Sequence, residues 1–382
     1  MSIKRKLELF EITEENSIFL LGPRRTGKST ILKSLNTLDE NISYWNLLDA
    51  NIYRSLSGDP STIRRTVTAQ SKKPRIIVID EIQKLPILLD EVHLMIEDHG
   101  LKFILSGSSA RALKKKGVNL LAGRAHTYYF HPFSTQELNT QFDLLRVLNF
   151  GSLPPVYLSK NPEEELNQYV GTYLAEEIAF EGVTRQLPAF SRFLEVAAHC
   201  SGQQIKFETI ASDAQVKRST VVDWFDVLKD TLIANELPMW KATHKRKAVS
   251  TAKFYFFDVG VARNLAHASV MKNLQGPEVG VAFEHWIYHE LKTSCDYKKH
   301  KYLHTWRTES QFEVDFILDE TWAIEVKAKT HISSADLKGL RALKEENVCT
   351  RYTVVAFVNE RQIFEDGIEV LPYLDFIEEI WK

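Results

Sequence analysis

Gly22-Pro23-Arg24-Arg25-Thr26-Gly27-Lys28-Ser29 follows the apolar run Ser17-Ile-Phe-Leu-Leu21 and leads into Thr30-Ile-Leu-Lys-Ser-Leu35. Two glycines five apart let successive backbone N–H groups turn toward one point. Lys28 adds a positive charge for terminal phosphates, and Ser29 offers a hydroxyl to a divalent cation. The residues after the loop read as a helix, whose N-terminal dipole faces the same phosphates. Residues Gly22 through Thr30 are therefore assigned to nucleotide binding. The stretch predicts an α/β domain in which a buried parallel strand delivers this loop.

Such a site needs a second strand that brings carboxylates to the metal, and Arg75-Ile-Ile-Val-Ile79-Asp80-Glu81 supplies one. Four apolar residues in a row suit a strand buried on both faces. Asp80 is expected to hold Mg²⁺, directly or through water, and Glu81 to polarise the attacking water. Phe103-Ile-Leu-Ser106-Gly107-Ser108 has the same form, so Ser106 or Ser108 is a candidate γ-phosphate sensor. In the plainer alternative these small residues only make the turn. Arg124, before the strand-like Thr127-Tyr-Tyr-Phe130, is read either as a finger reaching a neighbouring subunit's phosphate or as a surface helix cap.

This half resembles the AAA superfamily on the loop Gly22–Ser29, the Asp80-Glu81 pair, the Ser106 strand and Arg124. It is most similar to a bacterial and archaeal group that continues with Gly107-Ser-Ser, Leu121-Ala-Gly-Arg124, His131-Pro-Phe-Ser134 and Gly151-Ser-Leu-Pro154. The resemblance implies a P-loop NTPase of AAA type that uses ATP with Mg²⁺; the residues alone do not separate ATP from GTP.

Residues 163–182 read as helical, with Tyr169, Tyr173 and Ile178 on one stripe, and are expected to connect or lid the ATPase. Further on, Phe207-Glu-Thr-Ile-Ala-Ser-Asp-Ala214, a break at Gln215-Val-Lys217 and a helix from Arg218 form a helix-turn-helix pattern. Residues 232–237 and 253–257 are the expected wing strands around a basic tip, Lys241, His244, Lys245, Arg246 and Lys247. The tip, with Lys217, Arg218 and Thr220 from the recognition helix, gives salt-dependent and largely sequence-blind contacts to DNA, with RNA left open. Winged folds also dock proteins, and the resemblance supports the winged helix while leaving its ligand undecided.

The last third carries different chemistry. Gln311-Phe-Glu-Val-Asp315-Phe-Ile-Leu318 alternates toward a strand, a turn follows at Asp319-Glu320, and Trp322-Ala-Ile-Glu325-Val-Lys327 is the next strand. Glu325 and Lys327 lie two apart and project from one face, and a paired strand can bring Asp315 beside them. Two carboxylates could then hold Mg²⁺ while Lys327 orients the attacking water or stabilises a charged phosphorane. Glu284, on a helix over residues 281–291, is the candidate extra carboxylate. A salt-bridged hairpin is the competing reading. The same Glu-x-Lys spacing at Glu290 and Lys292 falls in a helical stretch and marks no site. Asp315, Glu325 and Lys327, with Glu284, resemble the restriction-endonuclease-like fold, which forms the C-terminus of the ATPase group named above. Many relatives keep that fold and lose these acids.

The chain has 382 residues, 44% hydrophobic and 26% charged, so two or three globular domains are expected. A net charge of −2 means that any polyanion partner is met by local patches. Cys200, Cys295 and Cys349 lie far apart without a Cys-x2-Cys pair, which argues against a disulfide frame or structural zinc. The N-terminus lacks a signal-peptide apolar stretch and no run spans a membrane, which predicts a cytoplasmic protein without a membrane partner. The expected organisation is an ATPase domain over 1–145, a helical lid or linker over 146–189, a winged helix-turn-helix over 190–258 and a restriction-endonuclease-like α/β domain over 259–382. The expected function is ATP binding and hydrolysis acting on DNA, with a candidate Mg²⁺-dependent nuclease site and a homo-oligomer completed by Arg124. The alternative is a nucleotide-gated switch whose nuclease-like domain is silent and docks nucleic acid or protein.

Overall fold

The computed structural model describes residues 3–39, 41–109, 120–174, 187–241, 246, 248–298 and 302–382. It divides into two compact units, Met1–Pro132 with Asp230–Leu232, and Phe133–Lys229 with Ile233–Lys382.

In the first unit, β1 (Ser17–Leu21), α1 (Lys28–Leu38), β2 (Ile42–Asn46), β3 (Ile76–Asp80), α2 (Leu88–His99), β4 (Lys102–Gly107) and β5 (Ala125–Tyr129) follow in chain order. The strands form one parallel sheet in the order β2-β3-β4-β1-β5. β1 and β3 are buried along their whole length, as their unbroken apolar runs require of strands covered on both faces. Phe19, Ile77, Ile79, Phe103 and Leu105 pack with Leu88, Val92 and Met95 of α2 in one core. Because β3, β4 and β1 are neighbours, the C-terminal ends of these three strands lie side by side. The loop after β1, the acids after β3 and the serines ending β4 therefore meet at one edge of the sheet, where ligands of open parallel sheets bind.

Two core clusters stand out among the described residues of the second unit. In one, α3 (Leu187–His199), α4 (Phe207–Asp213) and α5 (Arg218–Asp230) pack Phe190, Phe193, Trp224 and Phe225 together. α4 and α5 are joined by a tight turn in which Gln215 takes φ 57° and Val216 N donates to Ala211 O. The antiparallel pair β6 (Ala234–Leu237) and β7 (Lys253–Phe256) and the helix α6 (Val259–Leu265) complete this module. Leu153, Val156, Leu166 and Tyr169 belong to the same core, so the described part of the expected lid is built into the helical module.

The second core lies under a six-stranded sheet. The elements of this part are the long helix α7 (Pro277–Lys298), β8 (Leu303–Arg307), β9 (Glu313–Leu318), β10 (Trp322–Lys327), α8 (Lys338–Lys344), β11 (Arg351–Ala356), β12 (Gln362–Ile363) and β13 (Glu369–Pro372). Strand order is β12-β13-β11-β10-β9-β8, with β10, β11 and β13 parallel and the remaining pairs antiparallel.

The two expected wing strands overlap the paired β6 and β7. After β6 the backbone turns onto β8: Thr305 N donates to Pro238 O, Trp240 N to Thr305 O and Val249 N to Arg307 O. Trp240 accordingly sits in the core of the C-terminal sheet. Unpaired backbone donors and acceptors of an edge strand take a partner where one is within reach, and β8 is such an edge. Among the described residues, no helix is long and apolar enough to cross a membrane.

Candidate nucleotide site and carboxylate cluster

The loop between β1 and α1 is shaped by its glycines. A Cβ on Gly22 would stand 2.2 Å from Phe130 O, so glycine is needed there for the close pass of the chain leaving β5. Gly27 takes φ 98° as it caps α1, and Arg25 takes φ 60°. Lys28 is 5% exposed and its Nζ donates to Gly22 O at 2.6 Å and Pro23 O at 2.8 Å, which holds the ammonium at the loop. Thr26 is buried and donates from Oγ1 to Pro23 O. Pro23 is buried, Arg24 and Ser29 are half-buried, and Thr30 is exposed on the first turn of α1.

Beside the loop, Asp80 is fully buried and accepts two hydroxyl donors, Ser106 Oγ on one oxygen and Tyr44 OH at 2.7 Å on the other. Ser106 thus faces Asp80, while Ser108 accepts from Gln83 Nε2 at 3.1 Å and from Arg24 Nε at 3.4 Å. Burial, with the hydrogen bond to Asp80, pushes the Tyr44 phenol above its ordinary range, so it stays a donor. Glu81 takes φ 64°, a left-handed conformation that strains a non-glycine residue and marks a constrained turn. Its carboxylate accepts from Gln83 Nε2. Gln83 Oε1 is buried without a partner, an unmet acceptor beside the two residues expected to meet the γ-phosphate and water.

Two contributors were not legible as site residues. Arg5, 9% exposed, donates to Thr26 O at 2.7 Å and to His131 O at 2.6 Å and lies 4.0 Å above the Phe130 ring. Tyr44 is the other. Neither carries a motif signal, because each meets the site only through side-chain hydrogen bonds made once the chain has folded. Arg124 precedes β5, at the opposite end of the sheet from its own phosphate loop, and its guanidinium pairs with Glu97.

In the second unit, β9 and β10 pair from Leu318 with Trp322 to Phe316 with Ile324. Beyond that point Asp315 Oδ2 takes the Val326 N–H at 2.8 Å, so a side chain replaces the ladder and both strands turn their polar residues to one cavity. This cavity of about 550 Å³ is bounded by Glu284, Asp315, Glu325, Lys327, Phe312 and Gly339. A Cβ on Gly339 would stand 1.8 Å from Glu313 O, so glycine lets α8 close the cavity against β9. Lys327 Nζ donates to Glu325.

The structure brings the four predicted residues together and adds a fifth group. Lys253, first residue of β7 with a side chain 3% exposed, places Nζ 2.7 Å from Glu313, 3.1 Å from Glu284 and 3.7 Å from Asp315. Tyr255, two residues on and on the same face, donates to Glu284 at 2.7 Å. Burial, then the charges of Glu325 and Glu284, hold the Asp315 carboxyl well above its usual range. Burial likewise raises Glu325. Burial opposes the charge on Lys253, yet Glu284, Asp315 and Glu313 together keep its pKa above that of an ordinary lysine. Glu325 Oε2 is buried without a partner. As arranged, these donors do not fit a divalent cation: among the described residues no group of three acids, histidines or cysteines is placed to hold a metal.

At the helix-turn-helix, Lys217 and Arg218 are exposed and Thr220 half-buried at the start of α5. Arg218 pairs with Glu208 at 2.6 Å across the turn. Arg246 departs from its expected role as a phosphate contact at the tip. It donates to Ala342 O and pairs with Glu345 and Glu346 at the end of α8, since two acids and a carbonyl offer a guanidinium a closer match than solvent. Lys245 and Lys247 lie outside the described residues.

Residues 14–139 match the family described as an AAA domain. The first unit is an AAA-type P-loop domain. Residues 141–272 and 279–376 match two families described as domains of unknown function. No curated protein matches the chain. Among solved structures, the Orc1 protein of Aeropyrum pernix in complex with DNA aligns with 66% of this chain and 86% of its own, at 13% identity and a TM-score of 0.25, too low to carry an argument.

Proposed function

We propose that this chain binds and hydrolyses ATP with Mg²⁺ and acts on DNA. The observation that carries the reading is the convergence of Lys28, Asp80 and the Glu81–Gln83–Ser108 group at one edge of the parallel sheet. The residues fit a nucleotide and its metal: the loop amides and Lys28 would hold the phosphates, and Ser29 and Asp80 the Mg²⁺. Bound Mg²⁺ withdraws charge from the phosphate oxygens. Ser106 and Tyr44 aim Asp80 by donating to both its oxygens. Glu81 takes the proton of the attacking water, and Gln83 orients its carboxylate. Arg124, far from its own loop, would serve a neighbouring subunit. The test is ATP hydrolysis by Lys28→Ala: loss of turnover is expected, and a rate equal to wild type overturns the reading.

DNA as partner is supported by the helix-turn-helix and the exposed Lys217 at the head of α5; RNA shares the same phosphate chemistry. Lys217→Ala should flatten the dependence of log K on log salt by about 0.9 for duplex DNA, and an unchanged slope removes this contact. For the C-terminal domain, proximity of Asp315, Glu325 and Lys327 supports the nuclease-like reading. A second reading, a nucleotide-gated switch with a silent C-terminal site, is favoured by the Lys253 ammonium among the acids. Cleavage assays on linear, single-stranded and branched DNA with Mg²⁺ or Mn²⁺, comparing wild type with Asp315→Ala, separate the two.

A further inference from the structure

We propose that Lys253 is the built-in cation of the carboxylate cluster, and that its ammonium and a divalent metal exclude one another there. The inference rests on the reading of Asp315, Glu325 and Glu284 as a metal-type donor set. Lys253 lies within 3.7 Å of oxygens from Glu284 on α7 and from Glu313 and Asp315 on β9, and is sealed from solvent. A hard divalent cation draws on the same oxygens, at roughly 2.0–2.6 Å. An ammonium and a dication cannot both be held at such distances away from water, because their repulsion is unscreened. A further ligand-directed signal, apart from the contacts of Lys253, is Glu325 Oε2, buried at the cavity and bare of any donor. Lys327 covers only the other oxygen of Glu325.

Lys253 belongs to the ribbon of the helix-turn-helix module, not to the sheet that carries the acids. Its side chain is held in place by the β6–β7 pairing and by Tyr255, which fixes the same Glu284 oxygen from the next position on that face. The cluster is thereby self-blocked. The module that carries α4 and α5 thus also holds the stopper.

The experiment is a Mn²⁺ titration of the full, nucleotide-free chain, reading free Mn²⁺ by electron paramagnetic resonance. Wild type is compared with Lys253→Met, Lys253→Gln and Lys253→Arg, and each neutral variant is repeated in an Asp315→Asn background. The neutral variants should gain one Mn²⁺ site at least tenfold tighter than wild type, lost again with Asp315→Asn, while Lys253→Arg behaves as wild type. Should Lys253→Met fail to fold, Lys253→Gln, which keeps a hydrogen-bonding side chain of similar reach, carries the comparison. A wild-type site as tight as that of the neutral variants overturns the exclusion but leaves the donor set standing. No Asp315-dependent binding in any variant overturns both.

Discussion

Arg5 and Gln83 illustrate how much of the nucleotide site depends on single side chains outside the loop itself. Arg5 ties the N-terminal segment to the loop carbonyl of Thr26 and to His131 O with one guanidinium. Both hydrogen bonds are charge-assisted and buried. Arg5→Ala is expected to lower stability by roughly 2–3 kcal/mol, read as a lower melting temperature. Gln83 works differently, since it donates from one nitrogen to both Glu81 and Ser108. Glu81→Gln should reduce kcat by about a hundredfold or more with little change in KM for ATP. Gln83→Ala should lower kcat by less, because Glu81 remains but is no longer aimed. An increase in KM without a fall in kcat would place Gln83 in ground-state binding instead.

At the scale of elements, two identical sequence patterns come to opposite ends. Glu325 and Lys327 on β10 share a face and point into a cavity, whereas Glu290 on α7 is fully buried against other segments. It accepts from Thr135 N at 2.8 Å, Thr135 Oγ1 at 2.7 Å and Trp381 Nε1 at 3.4 Å. Burial pushes its carboxyl up to about 7, against the pull of these donors. Because the folded value lies above the unfolded one, its contribution is complete below about pH 4.5 and is lost as pH rises through about 7. Urea denaturation should show Glu290→Gln gaining on wild type between pH 5 and 8, by at most about 3 kcal/mol. An unchanged difference across that range would mean the carboxyl ionises freely. α8 supplies a second test. Gly339→Ala forces a Cβ into Glu313 O, and the displaced β9 should cost roughly 1–3 kcal/mol, read as a lower melting temperature.

For the whole molecule, the two sites lie in separate compact units with separate cores. Asp315→Ala should therefore leave the ATPase rate within about twofold of wild type, since sites in separate units without shared partners act independently. A larger change, measured without DNA, would show that the two sites are coupled. The nucleotide domain was readable from residues 17–35 and 75–109 because its chemistry is local: loop, helix start and strand-end acids are each continuous stretches, and parallel strands need unbroken apolar runs. The hairpin carrying Asp315 and Glu325 was readable for the same reason, since a strand's period of two sets which residues share a face. Tyr44, Arg5 and Lys253 carried no such signal. Each reaches its site across a sheet or from a different module, and ribbon, helix and hairpin come within 4 Å of one ammonium only after the chain has packed. Arg246 shows the reverse: a basic residue in a charged run reads as solvated or phosphate-facing until the fold supplies two acids at the end of α8. Local chemistry is written in the order of residues, whereas the balance of charge in a buried cluster depends on which distant segments pack together.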